Sequence, residues 1–136
     1  TLISRIGERA ALTIEYVGLI VVFTAYAFVE NAYLAAGLYV IDHMFFALAI
    51  AMNTYFQKIA SPEDIASSAG VSFTINHIAA VIIPAALGLV WIVSNAAVFL
   101  IGAGFAVCSL LLSQNIPSRP AEGNEVVWGK VGRATP

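Results

Sequence analysis

Residues 74–88 read TINHIAAVIIPAALG, in which Asn76 and His77 stand side by side and Pro84 follows seven residues after His77. This stretch lies inside a long apolar segment that runs from residue 66 to residue 92. In a soluble core, such polar groups cost free energy unless they are hydrogen-bonded. A membrane helix tolerates the proline, because neighbouring helices and waters re-satisfy the freed backbone groups. The environment of this segment therefore decides the fold.

The composition of the whole chain favours a membrane. Of its 136 residues, 60% are hydrophobic and only 10% are charged, whereas soluble domains carry about 25% charged residues. The net charge of −2 gives no reason to expect a nucleic-acid partner. The single cysteine, Cys108, excludes an internal disulfide, and no Cys/His spacing suits zinc, so we expect no metal or cofactor.

The apolar residues fall into four segments, at about 10–29, 34–57, 66–92 and 96–114. A helix needs about 20 such residues to cross a ~30 Å hydrocarbon core. The segments are too long for strands and lack sustained alternation. We predict an all-α integral membrane protein with four transmembrane helices, preceded by a cytoplasmic loop (1–9) and followed by a mostly disordered cytoplasmic tail (118–136).

The connections between the segments also indicate helices. Two of them, at 30–31 and 94–95, are very short turns. The third contains a helix start, in which Ser61 can cap the helix, Pro62 suits its first position and acidic residues follow in the first turn. The third helix is therefore predicted to begin near Pro62.

The basic residues set the orientation. With four alternating segments, all six fall on one side of the membrane: Arg5, Arg9, Lys58, Arg119, Lys130 and Arg133. Cytoplasmic loops carry the excess of Lys and Arg. We therefore expect a multi-pass protein of the inner membrane, with both termini and the 58–65 loop in the cytoplasm.

Two stretches carry a resemblance to a known family. SRIGERAAL (4–12) resembles the second copy of the cytoplasmic loop motif of the major facilitator superfamily, although Leu2-Ile3-Ser4 stands where the motif's aspartate is usual. YFQKIASPEDIASSAGVSFTINHIAAVIIPAALGLVW (55–91) resembles that superfamily's last cytoplasmic loop between helices and its eleventh helix. The resemblance covers about residues 3–117. It implies that the four segments are helices nine to twelve of a twelve-helix transporter.

The resemblance also implies a function. The chain would be the last part of a secondary active transporter that moves a small solute, coupled to protons, and its missing start methionine fits a fragment. Its partners would be the lipid bilayer, a small-molecule substrate and the preceding helices. The alternative is a self-contained small four-helix membrane protein, acting as a subunit or an oligomerising exporter. An enzyme is not expected, because the sequence contains no phosphate loop, nucleophile elbow or metal trio.

The second segment carries the first candidates for a functional site, Asp42 and His43. An ionisable residue within a bilayer costs about 2.5–3.5 kcal/mol and is a functional candidate by default. By resemblance this segment is the tenth helix, one of those that line the central cavity. On an ideal helix one sector holds Tyr39, Asp42, Phe46, Ala49, Asn53 and Gln57. We expect either a proton- or substrate-binding carboxylate with Tyr39 and Asn53 beside it, or a structural pair bonded to another helix.

Asn76 and His77 form the second candidate group. The pair can hydrogen-bond across to adjacent helices and fix their packing. Alternatively, His77 serves as a proton-relay group, since imidazole titrates near neutrality. Glu15, in the first segment, is expected to form an ion pair with Arg9 or Arg5.

Overall fold

The computed structural model describes residues 6–117, 120–121 and 124–128. Within these residues it contains helices and turns but no strand, only an isolated bridge between Ala121 and Asn124. A short 3₁₀ turn at Ala47–Ala49 joins two of the helices. The helices are α1 (Glu8–Phe28), α2 (Ala32–Phe46), α3 (Ile50–Ile59), α4 (Pro62–Val93) and α5 (Asn95–Ser113).

The prediction of an all-α chain with four long apolar helical segments is confirmed. Four stretches of the described residues are long and apolar enough to cross a membrane: Glu8–Phe28, Ala32–Ile59, Pro62–Val93 and Asn95–Ser113. The second of them runs from the start of α2 to the end of α3. Of the six basic residues, only Arg9 and Lys58 lie within the described residues. They mark one end of the bundle, which we call the basic end.

The helix starts follow from local chemistry. Gly7 precedes α1 with a φ of 83°, a backbone conformation that side chains with a Cβ rarely adopt. Asn31 caps α2, because its side-chain oxygen accepts from the backbone N–H groups of Tyr33 (2.9 Å) and Leu34 (3.3 Å). Ser94 caps α5 in the same way.

The start of α4 differs in one detail from the prediction. The helix begins at Pro62, as expected, with Ser61 at the N-cap position. The Ser61 side chain does not bond a backbone N–H; its hydroxyl donates to the Asp64 carboxylate at 2.8 Å. The helix then continues without interruption through Pro84 to Val93.

The 3₁₀ turn changes the polar sector predicted for the second segment. A 3₁₀ residue advances by 120° and an α-helical residue by 100°, so three of them rotate the following residues by about 60°. The turn therefore rotates Asn53 away from the position that an ideal helix gives it relative to Asp42.

Helix α1 lies at the centre of the bundle and packs against α5, α2 and α3. Against α5, the Tyr26 ring stacks on Phe99 with ring centroids 4.9 Å apart, and Phe23 lies over Gly102. Against α2, the Tyr26 hydroxyl donates to the carbonyl of Ala35 at 3.2 Å. Small residues and aromatic rings thus set the distance between the helices.

Helix α4 is packed very differently. None of its residues is buried, although it is the longest helix. Within the described residues it contacts mainly α5. There the Trp91 ring meets the edge of Phe99, with centroids 5.9 Å apart. Most of the α4 surface therefore lacks contacts with the part of the chain that the structure describes.

The small buried core lies at the basic end, where Tyr16 and Tyr55 cover a cluster of Ala11, Leu12, Ala51 and Ile116. Part of the tail lies against it. The backbone N–H of Val127 donates to the carbonyl of Asn115 at 2.8 Å, and the Tyr55 hydroxyl donates to the carbonyl of Glu125 at 2.5 Å. The predicted disorder of the tail stays a prediction for the residues that lie outside those described.

Candidate functional site

A polar network closes the basic end of the bundle. Lys58, at the end of α3, lies 2.5 Å from Oε1 of Glu8, in the first turn of α1. The Glu8 side chain is only 3% exposed, whereas that of Lys58 is 47% exposed. The ion pair therefore joins the two helices with one charge buried and the other reaching solvent.

A second set of hydrogen bonds joins α1 to the end of α5. Arg9 donates to Oε1 of Gln114 through Nε (3.4 Å) and Nη2 (3.1 Å). Gln114 donates through Nε2 to the Thr13 hydroxyl at 3.0 Å. Of the two ion pairs expected for Glu15, the one with Arg9 is not found, and the Arg9 guanidinium bonds Gln114 instead. Arg5, the other predicted partner of Glu15, lies outside the described residues.

Asp42 lies on the side of α2 that faces α1. It shares that side with Ala35, which accepts the Tyr26 hydroxyl, and with Phe45, which packs against Gly18 of α1. The Asp42 side chain is 28% exposed, and its Oδ2 lies 3.8 Å from Nδ1 of His43. Asp42 and His43, the first predicted site residues, thus lie close to each other, with the aspartate the more buried of the two.

The two histidines share one local arrangement. Nδ1 of His43 lies 3.0 Å from the carbonyl of Tyr39, and Nδ1 of His77 lies 2.9 Å from the carbonyl of Phe73. Each imidazole also packs on the aromatic ring four residues earlier, with centroids 4.1 Å and 3.9 Å apart. A carbonyl oxygen only accepts, so a hydrogen bond at these positions requires a proton on Nδ1 of the histidine.

The other predicted site residues are not brought together with these. Asn53 and Asn76 are exposed, and neither forms a hydrogen bond within the described residues. His77 bonds within its own helix, so the cross-helix hydrogen bonds expected of Asn76 and His77 are not found among the described residues.

The burial of Glu15 was not predicted by the sequence analysis. Its side chain is buried, with a relative exposure of 5%, and its Oε2 makes no hydrogen bond within the described part of the chain. It lies on the buried face of α1 with Ala11, Gly18 and Val22. The three- and four-residue spacing to these small and apolar residues was the available signal, because it marks a packed helix face.

The cavities among the described residues are mainly apolar. One of about 500 Å³ opens between α1 and α2, and a second of about 230 Å³ lies at the basic end beside Tyr16, Tyr55 and Val126. Neither is lined by any of the six predicted site residues. No group of three His, Cys, Asp or Glu side chains among the described residues could hold a metal ion.

Comparison of the chain with known protein families, with proteins of established function and with solved structures finds no match. The resemblance to the major facilitator superfamily therefore rests on the sequence motifs and stays a prediction.

Proposed function

We propose that this chain is the membrane-embedded C-terminal part of a secondary active transporter of the major facilitator type, which moves a small solute across the inner membrane in exchange for, or together with, protons. Four long apolar helices support the membrane location. The polar groups within those helices support transport, because an intramembrane carboxylate or imidazole is costly and marks ion or substrate pathways.

The observation that carries the proposal is the Asp42–His43 pair. The two side chains are 3.8 Å apart, within an apolar helix. With both groups deprotonated, the pair carries one negative charge; after it takes up one proton, its net charge is zero. Protonation thus changes how the pair interacts with its surroundings. A carrier alternates between conformations that open to opposite sides of the membrane. When these conformations favour different charge states of one site, a proton gradient drives transport.

Two exposed polar residues of α4 support the proposal that further helices pack against it. Asn76 and His77 lie in the middle of a helix with no buried residue. In lipid, a polar group without a partner costs free energy, and interhelical hydrogen bonds relieve that cost. The helices that precede this chain in the proposed transporter would supply those bonds and complete the substrate path.

The test uses the whole transporter in lipid vesicles, with sugars, organic acids and drugs supplied as candidate substrates. We expect Asp42→Asn to keep solute exchange but to lose accumulation driven by a proton gradient. His77→Gln should be milder, lowering the rate or the protein level. Accumulation by Asp42→Asn equal to that of the wild type would assign Asp42 a structural role.

The orientation is proposed from the six basic residues, which would lie in the cytoplasm. Cysteines introduced at Asn31 and Asn95 are expected to react with an impermeant maleimide added to intact cells, and one at Ser61 is not. The exposed Cys108 is first replaced by serine, so that it does not contribute to the signal. Reaction of the cysteine at Ser61 from outside would reverse the orientation.

A further inference from the structure

Glu15 has no role in the transport function proposed above. Of the three buried polar or charged side chains among the described residues, Glu8 pairs with Lys58, and the Ser113 hydroxyl donates to the carbonyl of Leu110. Glu15 alone has no ion pair within those residues, and its Oε2 accepts no hydrogen bond there. It also lies inside a helix apolar enough to span a membrane.

The antiparallel packing of α1 on α2 and α3 places Glu15 along the neighbouring chain. Gly18 contacts Phe45, and one to two turns lower Ala11 and Leu12 share a cluster with Ala51. Glu15 lies between these two contact levels on the same face of α1. The segment between Phe45 and Ala51 is the 3₁₀ turn Ala47–Ala49, which also contacts α1. Glu15 therefore faces the one interruption in the second apolar span.

Among the described residues, no positively charged group forms an ion pair with Glu15. On α2 and α3, the titratable groups nearest to the level of the turn are His43, Asp42 and Tyr55, about 7–11 Å away along the axis at ~1.5 Å per residue. Lys58 lies further along and is paired with Glu8. On α1 the nearest groups are Tyr16, Arg9 and Glu8, and the Arg9 guanidinium donates to Gln114. The packed helix α5 has no charged residue; its only titratable group is the exposed Cys108.

A buried carboxylate without a counter-ion is strongly disfavoured relative to the neutral acid. We propose that Glu15 is a proton-binding site, neutral in the packed bundle, and that loss of its proton requires the 3₁₀ turn to separate from α1 so that water reaches the carboxylate. A 3₁₀ stretch within a helix often marks a hinge, which is the kind of element that such a separation needs. The inference does not depend on transport.

The first experiment follows unfolding of the chain in lipid or detergent against pH. In the folded bundle Glu15 keeps its proton, whereas in the unfolded chain its hydrated carboxylate has lost it. The stability of the folded state therefore falls as the pH rises. We expect the wild-type Tm to fall from mildly acidic to alkaline pH by more than the Tm of Glu15→Gln, whose amide stays neutral. Glu30→Gln, at an exposed carboxyl, should follow the wild type.

The second experiment uses dicyclohexylcarbodiimide, an apolar reagent that reacts with protonated carboxyls. The acid proton moves to one carbodiimide nitrogen and the carboxylate oxygen bonds to the central carbon, so the adduct contains all atoms of both. At mildly acidic pH we expect the adduct on Glu15 to exceed that on Glu30 by about tenfold or more, and to be absent in Glu15→Gln. Identical pH profiles of wild type and Glu15→Gln, or no adduct on Glu15, would overturn the proposal.

Discussion

Helices α1 and α4 carry the same kinds of residue but have opposite surroundings. Both are long and apolar enough to span a membrane, and both hold polar residues in the middle. In α1, one face is buried along its length, from Glu8 to Val22. In α4 no residue is buried. Hydrophobicity alone therefore does not decide which of these long apolar helices is packed.

The difference lies in how the surfaces match. Gly18 of α1 receives the ring of Phe45, and Gly102 of α5 receives the ring of Phe23 from α1. Gly70 and Gly88 of α4 have open space where a Cβ would be. Small residues favour helix association only where a neighbour fills the space beside them. The following predictions test this difference. Each compares a substitution in α1, or in a helix that packs on it, with a substitution in α4.

The largest effect is expected at the buried ion pair of α1. Lys58→Met leaves the Glu8 carboxylate buried without a partner. Removing one member of a buried pair costs 3–5 kcal/mol; because Lys58 is half exposed and water can approach, we expect about 2–3 kcal/mol here. The measurement is unfolding by titration with a denaturing detergent.

Two controls accompany this variant. The double variant Glu8→Gln, Lys58→Met should recover much of the loss, because no charge is left buried. Glu63→Gln, at an exposed carboxyl in the first turn of α4, should change stability by no more than about 0.5 kcal/mol. An equal loss for Glu63→Gln and Lys58→Met would contradict the difference between the two helices.

A middle-sized effect is expected at the glycines. In Gly18→Ala, the new methyl group overlaps the Phe45 ring, which has to turn away. Such overpacking costs about 1–3 kcal/mol. Gly70→Ala meets no neighbouring atom, so the better helix propensity of alanine should leave the chain as stable or up to about 1 kcal/mol more stable. Thermal unfolding of the two variants in detergent compares them directly, and matching Tm values would be evidence against close α1–α2 packing.

The smallest effect is expected at the helix caps. Asn31→Ala removes the acceptor of two backbone N–H groups at the start of α2, which packs on α1, and should cost about 1 kcal/mol. Ser61→Ala removes no side-chain bond to a backbone N–H at the start of α4, so we expect a smaller loss. Hydrogen exchange of the first-turn amides measures both. Equal acceleration of exchange at the two helix starts would mean that Ser61 caps α4 after all.

Several features of the candidate site could be predicted from the sequence. The neighbours Asp42 and His43 on one apolar helix follow from the sequence itself, and so does the start of α4 at Pro62. The burial of Glu15 was not predicted, because a carboxylate one to two turns from a basic residue normally indicates an ion pair. The competing acceptor for Arg9 is Gln114, 105 residues away along the chain, and no local pattern reveals it.

The sequence by itself determined the four long apolar helical stretches and their approximate ends, because these depend on local hydrophobicity, on caps and on proline. It also determined which residues are costly in an apolar surrounding. Only the tertiary structure decided which of these groups obtained a partner. That outcome depends on which helix faces meet, and the 3₁₀ turn at Ala47–Ala49 and the contact of Gly18 with Phe45 set those faces. The contact of Gly18 with Phe45 joins two different helices, and a local reading of residues does not include such a contact.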